Sequence, residues 1–199
     1  MKKVLIDTCF INKFKDGTKL SDDFALLMEE MMFSPVIHPY VYKNEMALFD
    51  FIRGAVEKNV ISIASYEDFI QNDVVKLYYS NLFKDIYNEF VERLVRSGSP
   101  KADKTVFLTA EDNVFEIRKS GSSIGDVHII MMSLFMGIPI ILSEDSDMDM
   151  IYQIAKNKIQ SKKTALKVYR FSDIIDELEK KDNCKILHKD LKRIKRSHK

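Results

Sequence analysis

The sequence predicts a three-layer α/β fold with a mostly parallel sheet of five strands and a helical insertion. Three observations point there. Short apolar runs of strand length recur along the chain, stretches of helical periodicity separate them, and the breaks between the two are polar or carry Gly and Pro. With 199 residues, 46% hydrophobic and 31% charged, the chain has the length and composition of one globular domain.

Val4-Leu5-Ile6, closed by Asp7, reads as a first buried parallel strand. Ser21-Asp22-Asp23 caps an amphipathic helix over 24–33. Pro35 to His38 is the second strand, stopped by Pro39, and a helix over about 40–58 carries Met46, Phe49, Ile52 and Val56 at helical spacing. A third strand is expected over 60–64. From Tyr66 to Ser97 the pattern is helical and aromatic, with Phe69, Tyr78, Phe83, Tyr87 and Phe90; helical spacing favours packing over stacking on bases. Ser97-Gly98-Ser99-Pro100 breaks it. Helices are expected over about 102–119 and 124–136, the latter capped by Gly137. A fourth strand over 139–142, a helix over 146–159, a fifth strand over 166–170 and a capped helix over 172–181 complete the pattern. The expected organisation is a single domain over 1–180, with the insertion at about 66–100, and a basic C-terminal tail over 181–199.

The net charge of +1 hides an asymmetry: 180–199 holds nine Lys/Arg against Asp182 and Asp190, so this tail is about seven units basic and the rest about six units acidic. Such a tail either frays in solvent or contacts phosphates, with Arg93, Arg96 and Lys101 as candidate additions to that surface. Cys9 and Cys184 show no CxxC or zinc spacing and suit a reducing compartment, with Cys9 expected as a buried thiol. The charged start does not read as a signal peptide, and no uncharged apolar stretch reaches the roughly 18 residues of a membrane span. A cytoplasmic location without membrane contact is the expectation.

Parallel α/β sheets bind ligands beyond the carboxyl ends of their strands. Asp7 ends strand one, Glu45 follows strand two, Asp126 opens the helix leading into strand four, and Asp145 and Asp147 follow strand four. Two like charges about 4 Å apart cost on the order of 4 kcal/mol at an effective dielectric near 20, so a convergence of carboxylates calls for a neutralising cation. Oxygen ligands favour Mg²⁺ or Mn²⁺ over zinc, and such an ion polarises a phosphodiester and activates water. His128, two residues past Asp126 on a helix, points away from the cluster and reads as structural or solvent-facing; His38, before Pro39, reads as a strand-end residue.

At these residues the chain resembles the PIN-domain family of metal-dependent nucleases. Val4-Leu5-Ile6-Asp7-Thr8 is similar to the family's first motif, Asn44-Glu45 to its second acid, and Ser123-Ile124-Gly125-Asp126-Val127 to its third motif. Gly137 to Met148, containing Ser143-Glu144-Asp145-Ser146-Asp147, resembles the fourth, with Met148 in place of the usual aromatic. The resemblance implies a Rossmann-like sheet and a Mg²⁺- or Mn²⁺-dependent endoribonuclease. Asp7, Glu45, Asp126 and Asp145 would be its catalytic metal ligands, with Asp147 auxiliary, and Thr8 and Ser143 would orient carboxylates or a phosphate. Asp50 and Glu57, near Glu45, are alternatives for the second acid. The implied partners are an RNA substrate and, as in toxin members, an antitoxin or other protein; a homodimer is also admitted.

Blander readings stand beside this one. Asp7-Thr8 taken alone is also a strand-end turn, and Asp126 and Ser143-Glu144-Asp145-Ser146 also read as helix caps. A non-catalytic module of the same fold, binding RNA or a protein, is the alternative function. A haloacid-dehalogenase-type phosphatase needs a second Asp where Cys9 stands, and no P-loop or GxGxxG is present.

Overall fold

The structure, a computed structural model, describes residues 1–117, 123–159 and 165–198. The chain forms two compact units: a sheet unit of Met1–Ala64, Ile140–Asp145 and the chain from Lys167 onward, and a helical unit of Ser65–Pro139 and Ser146–Leu166.

The sheet unit holds β1 (Lys2–Ile6), β4 (Phe33–Ile37), β5 (Ser62–Ile63), β6 (Ile140–Leu142) and β7 (Lys167–Tyr169), in the order β5-β4-β1-β6-β7 with every neighbouring pair parallel. A small antiparallel hairpin, β2 (Lys15–Asp16) and β3 (Lys19–Leu20), lies outside that sheet. Without the hairpin the strands run 3-2-1-4-5 by order of appearance, which is an α/β fold of the Rossmann-like kind. The chain steps outward from β1 to β4 and β5, then returns to the other side of β1 with β6. The gap between the carboxyl ends of β1 and β6 is therefore the topological switch point.

Local chemistry explains the element boundaries. Ser21 accepts the Asp23 N–H at 3.2 Å and starts α2 (Asp22–Glu30), which buries Phe24, Leu27 and Met28 at helical spacing. β5 is shorter than the apolar run 60–64 suggests, and Pro35 is the reason. The Ser62 hydroxyl donates to the Pro35 carbonyl at 3.3 Å, so Pro35 turns its backbone toward β5. Lacking an N–H there, it ends the ladder, and pairing is confined to Val36 with Ser62 and Ile37 with Ile63.

The single helix expected over 40–58 is instead three pieces: α3 (Pro39–Val41), a π-helical turn over Tyr42–Met46, and α4 (Asp50–Glu57). Ala47 N–H bonds to the Tyr42 carbonyl five residues back at 2.7 Å, and Phe49 is extended, which separates the turn from α4. His38 caps α3, its Nδ1 accepting the Tyr40 N–H at 3.0 Å.

The C-terminal segment does not fray. Past α8 (Phe171–Glu179) it forms α9 (His188–Ser197), burying Leu191 and Ile194. Arg193 forms two hydrogen bonds to Asp23, at 2.7 and 3.0 Å, and Lys181 pairs with Glu30. α8 begins one residue before the expected 172, and at its start the Asp173 carboxylate accepts the Arg170 N–H at 2.8 Å.

The helical unit is built on α5 (Asp73–Arg96), α6 (Ile124–Met136) and α7 (Asp147–Ile159). Asn72 caps α5, which buries Tyr79, Phe83, Tyr87 and Phe90 along one stripe, so this aromatic face is core. α6 is buried at every position from Ile124 to Ser133 and ends at Gly137, whose φ of +65° suits glycine. The helix expected over 102–119 does not form over its described part. A short 3₁₀ turn, Ala102–Lys104, is followed by irregular chain whose backbone groups go to side chains. Asn88 exchanges two hydrogen bonds with the Leu108 backbone, and Asp112 accepts the Thr109 N–H at 2.7 Å, which removes the groups a helix would use.

His128, on α6, is wholly buried. Its Nε2 donates to the Val114 carbonyl at 3.0 Å, so its Nδ1 accepts from the Tyr79 hydroxyl at 2.8 Å, and the ring is neutral. Burial pushes its pKa down to about 3. The unfolded chain protonates this histidine from its ordinary value of 6.5 downward while the folded chain does not. Stability is therefore expected to fall as pH drops below 6.5, by up to about 1.4 kcal/mol per pH unit. Urea titrations between pH 6.5 and 5 should show that slope, and His128→Gln should flatten it.

Candidate active site

Asp7 ends β1 and caps α1 (Thr8–Asn12). Its own N–H continues the ladder to the Leu142 carbonyl at 3.0 Å, which fixes the backbone at the switch point. Its carboxylate is 6% exposed and held on both oxygens. Oδ1 accepts the Thr8 N–H at 2.6 Å; Oδ2 accepts the Cys9 thiol at 2.6 Å and the Ser143 hydroxyl at 2.8 Å. Burial raises the Asp7 pKa; the three hydrogen bonds oppose that, and the charge of Asp145 adds to it.

Glu45 lies on the π-helical turn after α3, and its Oε2 accepts the Thr8 hydroxyl at 2.6 Å. Its side chain retains surface exposure, but protein crowds the carboxyl. That crowding, opposed by Thr8 and reinforced by the Asp7 charge, raises its pKa. Of its neighbours, Asp50 is paired with Arg53 on α4 and Glu57 is exposed at that helix's end.

Ser143, fully buried directly after β6, also accepts the Asp145 N–H at 3.0 Å. At the carboxyl edge of the sheet unit Asp7 thus feels the charge of Asp145, and Glu45 that of Asp7, with Thr8 bonded to both Asp7 and Glu45 and Ser143 to Asp7 and the Asp145 backbone. Glu144 faces elsewhere: its Oε1 accepts the Phe171 N–H at 2.7 Å and its Oε2 lies 3.4 Å from Lys13 Nζ.

The other two acids belong to the helical unit. Asp126 is in the first turn of α6 and 9% exposed. Asp147 is in the first turn of α7, 8% exposed, and its Oδ2 accepts from Lys101 Nζ at 2.6 Å and from the Ser123 hydroxyl at 3.3 Å. Met148 beside it is fully buried in that unit. Among the described residues, no group of three or more His, Cys, Asp or Glu side chains is arranged to hold one metal ion.

Comparison of the chain with family models, with curated proteins and with solved structures gives no match. The likeness to PIN domains therefore rests on the motifs themselves.

Sequence reasoning missed two participants. Cys9 is half-buried and belongs to the Asp7 cluster: besides donating to Asp7, it accepts the Glu144 N–H at 3.2 Å. Its position two residues after Asp7, at the start of a short helix, was the available signal. Lys101, named from the sequence only as a candidate phosphate contact, is the partner of Asp147, 46 residues away in sequence, and nothing in the sequence signalled that pairing.

Burial, and then the charge of Asp7, push the Cys9 thiol up to about 12 from 9.0. At pH 8 the thiolate fraction falls about a thousandfold, so Cys9 should resist iodoacetamide in the folded protein and react readily in urea. Peptide mass spectrometry reads the two rates, and rapid labelling of native Cys9 would contradict the geometry around Asp7.

Proposed function

We propose that this protein is a Mg²⁺- or Mn²⁺-dependent endoribonuclease that hydrolyses RNA phosphodiester bonds, with a toxin partnered by an antitoxin as one biological setting. The observation that carries the reading is the pairing at the switch point, where Thr8 gives its N–H to Asp7 and its hydroxyl to Glu45, both at 2.6 Å; burial, and then a neighbouring carboxylate charge, raises the pKa of each acid. Concentrated negative charge at a ligand-binding edge suits a hard cation. The donor chemistry fits that ion: Asp7, Glu45 and Asp145 supply carboxylate oxygens, and they would hold it. The PIN-like motifs assign Asp126 to the same reaction and Asp147 to an auxiliary role.

When bound, the ion supplies charge stabilisation to the phosphodiester and lowers the cost of deprotonating water. The chain's own groups orient the acids. Ser143 and Cys9 fix one oxygen of Asp7, the Thr8 backbone fixes the other, and the Thr8 hydroxyl fixes Glu45. Such prior fixation keeps carboxylates from reorganising as charge develops on the phosphate.

One observation favours a second reading. The lack, among the described residues, of three acids arranged around one point suits a non-catalytic module of the same fold that binds RNA or a protein.

Cleavage of a broad RNA panel with Mg²⁺ or Mn²⁺ separates the two. Wild-type protein is expected to cleave, while Asp7→Asn, Asp126→Asn and Asp145→Asn fall to background with unchanged circular dichroism. Mn²⁺ at a hundredfold excess over its dissociation constant should stabilise the wild type by about 2.7 kcal/mol, and Asp7→Asn should lose that shift. Full activity in all three variants sinks the assignment; stabilisation by Mn²⁺ with no cleavage of any RNA favours the binding module.

A further inference from the structure

Six of the basic residues of the C-terminal segment fall into two sets. Lys181, Arg193 and Lys195 are engaged within the sheet unit, by Glu30 at 2.5 Å, Asp23 at 2.7 Å and Glu179 at 3.4 Å. Lys189, Lys192 and Arg196 are exposed and, among the described residues, form no ion pair. Their spacing of three and four residues puts them on one face of α9. Across about seven residues at 1.5 Å each they span about 10 Å.

The opposite side of the helix is spent. Leu191 and Ile194 are buried, so α9 has no apolar stripe to insert into a lipid surface. Its last turn is anchored beside the carboxyl edge of the sheet. His198 Nδ1 donates to the Lys13 carbonyl at 2.8 Å, just past α1, and its ring packs on Phe14 with centroids 4.7 Å apart. It also lies edge-on to Phe171, the first residue after the β7 strand end and its Arg170 link.

A polyanion approaching the acidic cluster meets repulsion from it and from a chain whose first 179 residues are about six units acidic. α9 supplies unspent positive charge that leads toward this edge, with Arg196 two residues before His198 and Lys189 and Lys192 farther back along the helix. Its three cations can each meet one phosphate of a polynucleotide backbone. We propose that Lys189, Lys192 and Arg196 form a docking face for the phosphate backbone of single-stranded RNA; its role in presenting RNA to the acids rests on the nuclease reading above.

The test is anisotropy of a labelled oligouridylate with the full chain in EDTA, where binding is read without cleavage, over a KCl series. The combined variant Lys189→Ala, Lys192→Ala, Arg196→Ala should bind more weakly and lower the slope of log K against log salt by about 2, with unchanged melting. A control removing Lys2, Lys3 and Lys19, exposed at the other end of β1 and on the hairpin, should retain the wild-type slope. An unchanged slope in the α9 variant, an equal fall in the control, or no wild-type binding at low salt overturns the docking face. So does loss of binding to polyglutamate with RNA binding intact, which assigns the face to an acidic protein. Separate cleavage assays with Mn²⁺ keep the two readings apart: the expected slope change without any cleavage supports the docking face and sinks the nuclease alone.

Discussion

β1 has a strand on each side, and Asp7 continues its ladder to Leu142, so the backbone of Asp7 has no freedom to carry its side chain to water. A carboxylate held there loses solvation, and the surrounding sequence answers with three donors: the Thr8 amide, the Cys9 thiol and the Ser143 hydroxyl. Two of these follow Asp7 directly, and the third arrives from β6, 136 residues later. The return of the chain to the far side of β1 is thus tied to the needs of one buried acid. The fold's switch point and this polar network are the same place.

Much of the architecture was legible because it depends on periodicity. The apolar runs at β1, β4 and β6 and the stripes on α2 and α5 have the spacing that burial demands, and they formed. The misread segments share a different physics. Residues 102–117 have helix-compatible composition, yet Asn88 and Asp112 capture their backbone groups through side chains, one of them 20 residues away in sequence. The break between the π-helical turn and α4 comes from the backbone of Phe49, which no apolar pattern encodes. α9 looked like a solvated charge run because its anchoring partner, Asp23, lies 170 residues away in sequence.

The candidate site was legible in residue type at strand ends, and less so in partnership. Asp7, Glu45, Ser143 and Asp145 could be named because topology places strand ends together. Glu45 was separable from Asp50 and Glu57 only once the π-helical turn and the Arg53 pairing were seen. Cys9 looked like a core thiol because cysteine is most often buried as a small hydrophobe, and its bond to Asp7 is a property of geometry.

Pro35 has a consequence beyond the length of β5. The two outer strands of the sheet, β5 and β7, contribute two and three paired residues. A stray extended chain seeking to add itself alongside would find too few free amides and carbonyls to zip onto. The border of the sheet is blunted against fibril-like stacking: at β5 an imino acid on the neighbouring strand does that work, and at β7 the charge of Lys167 adds to it.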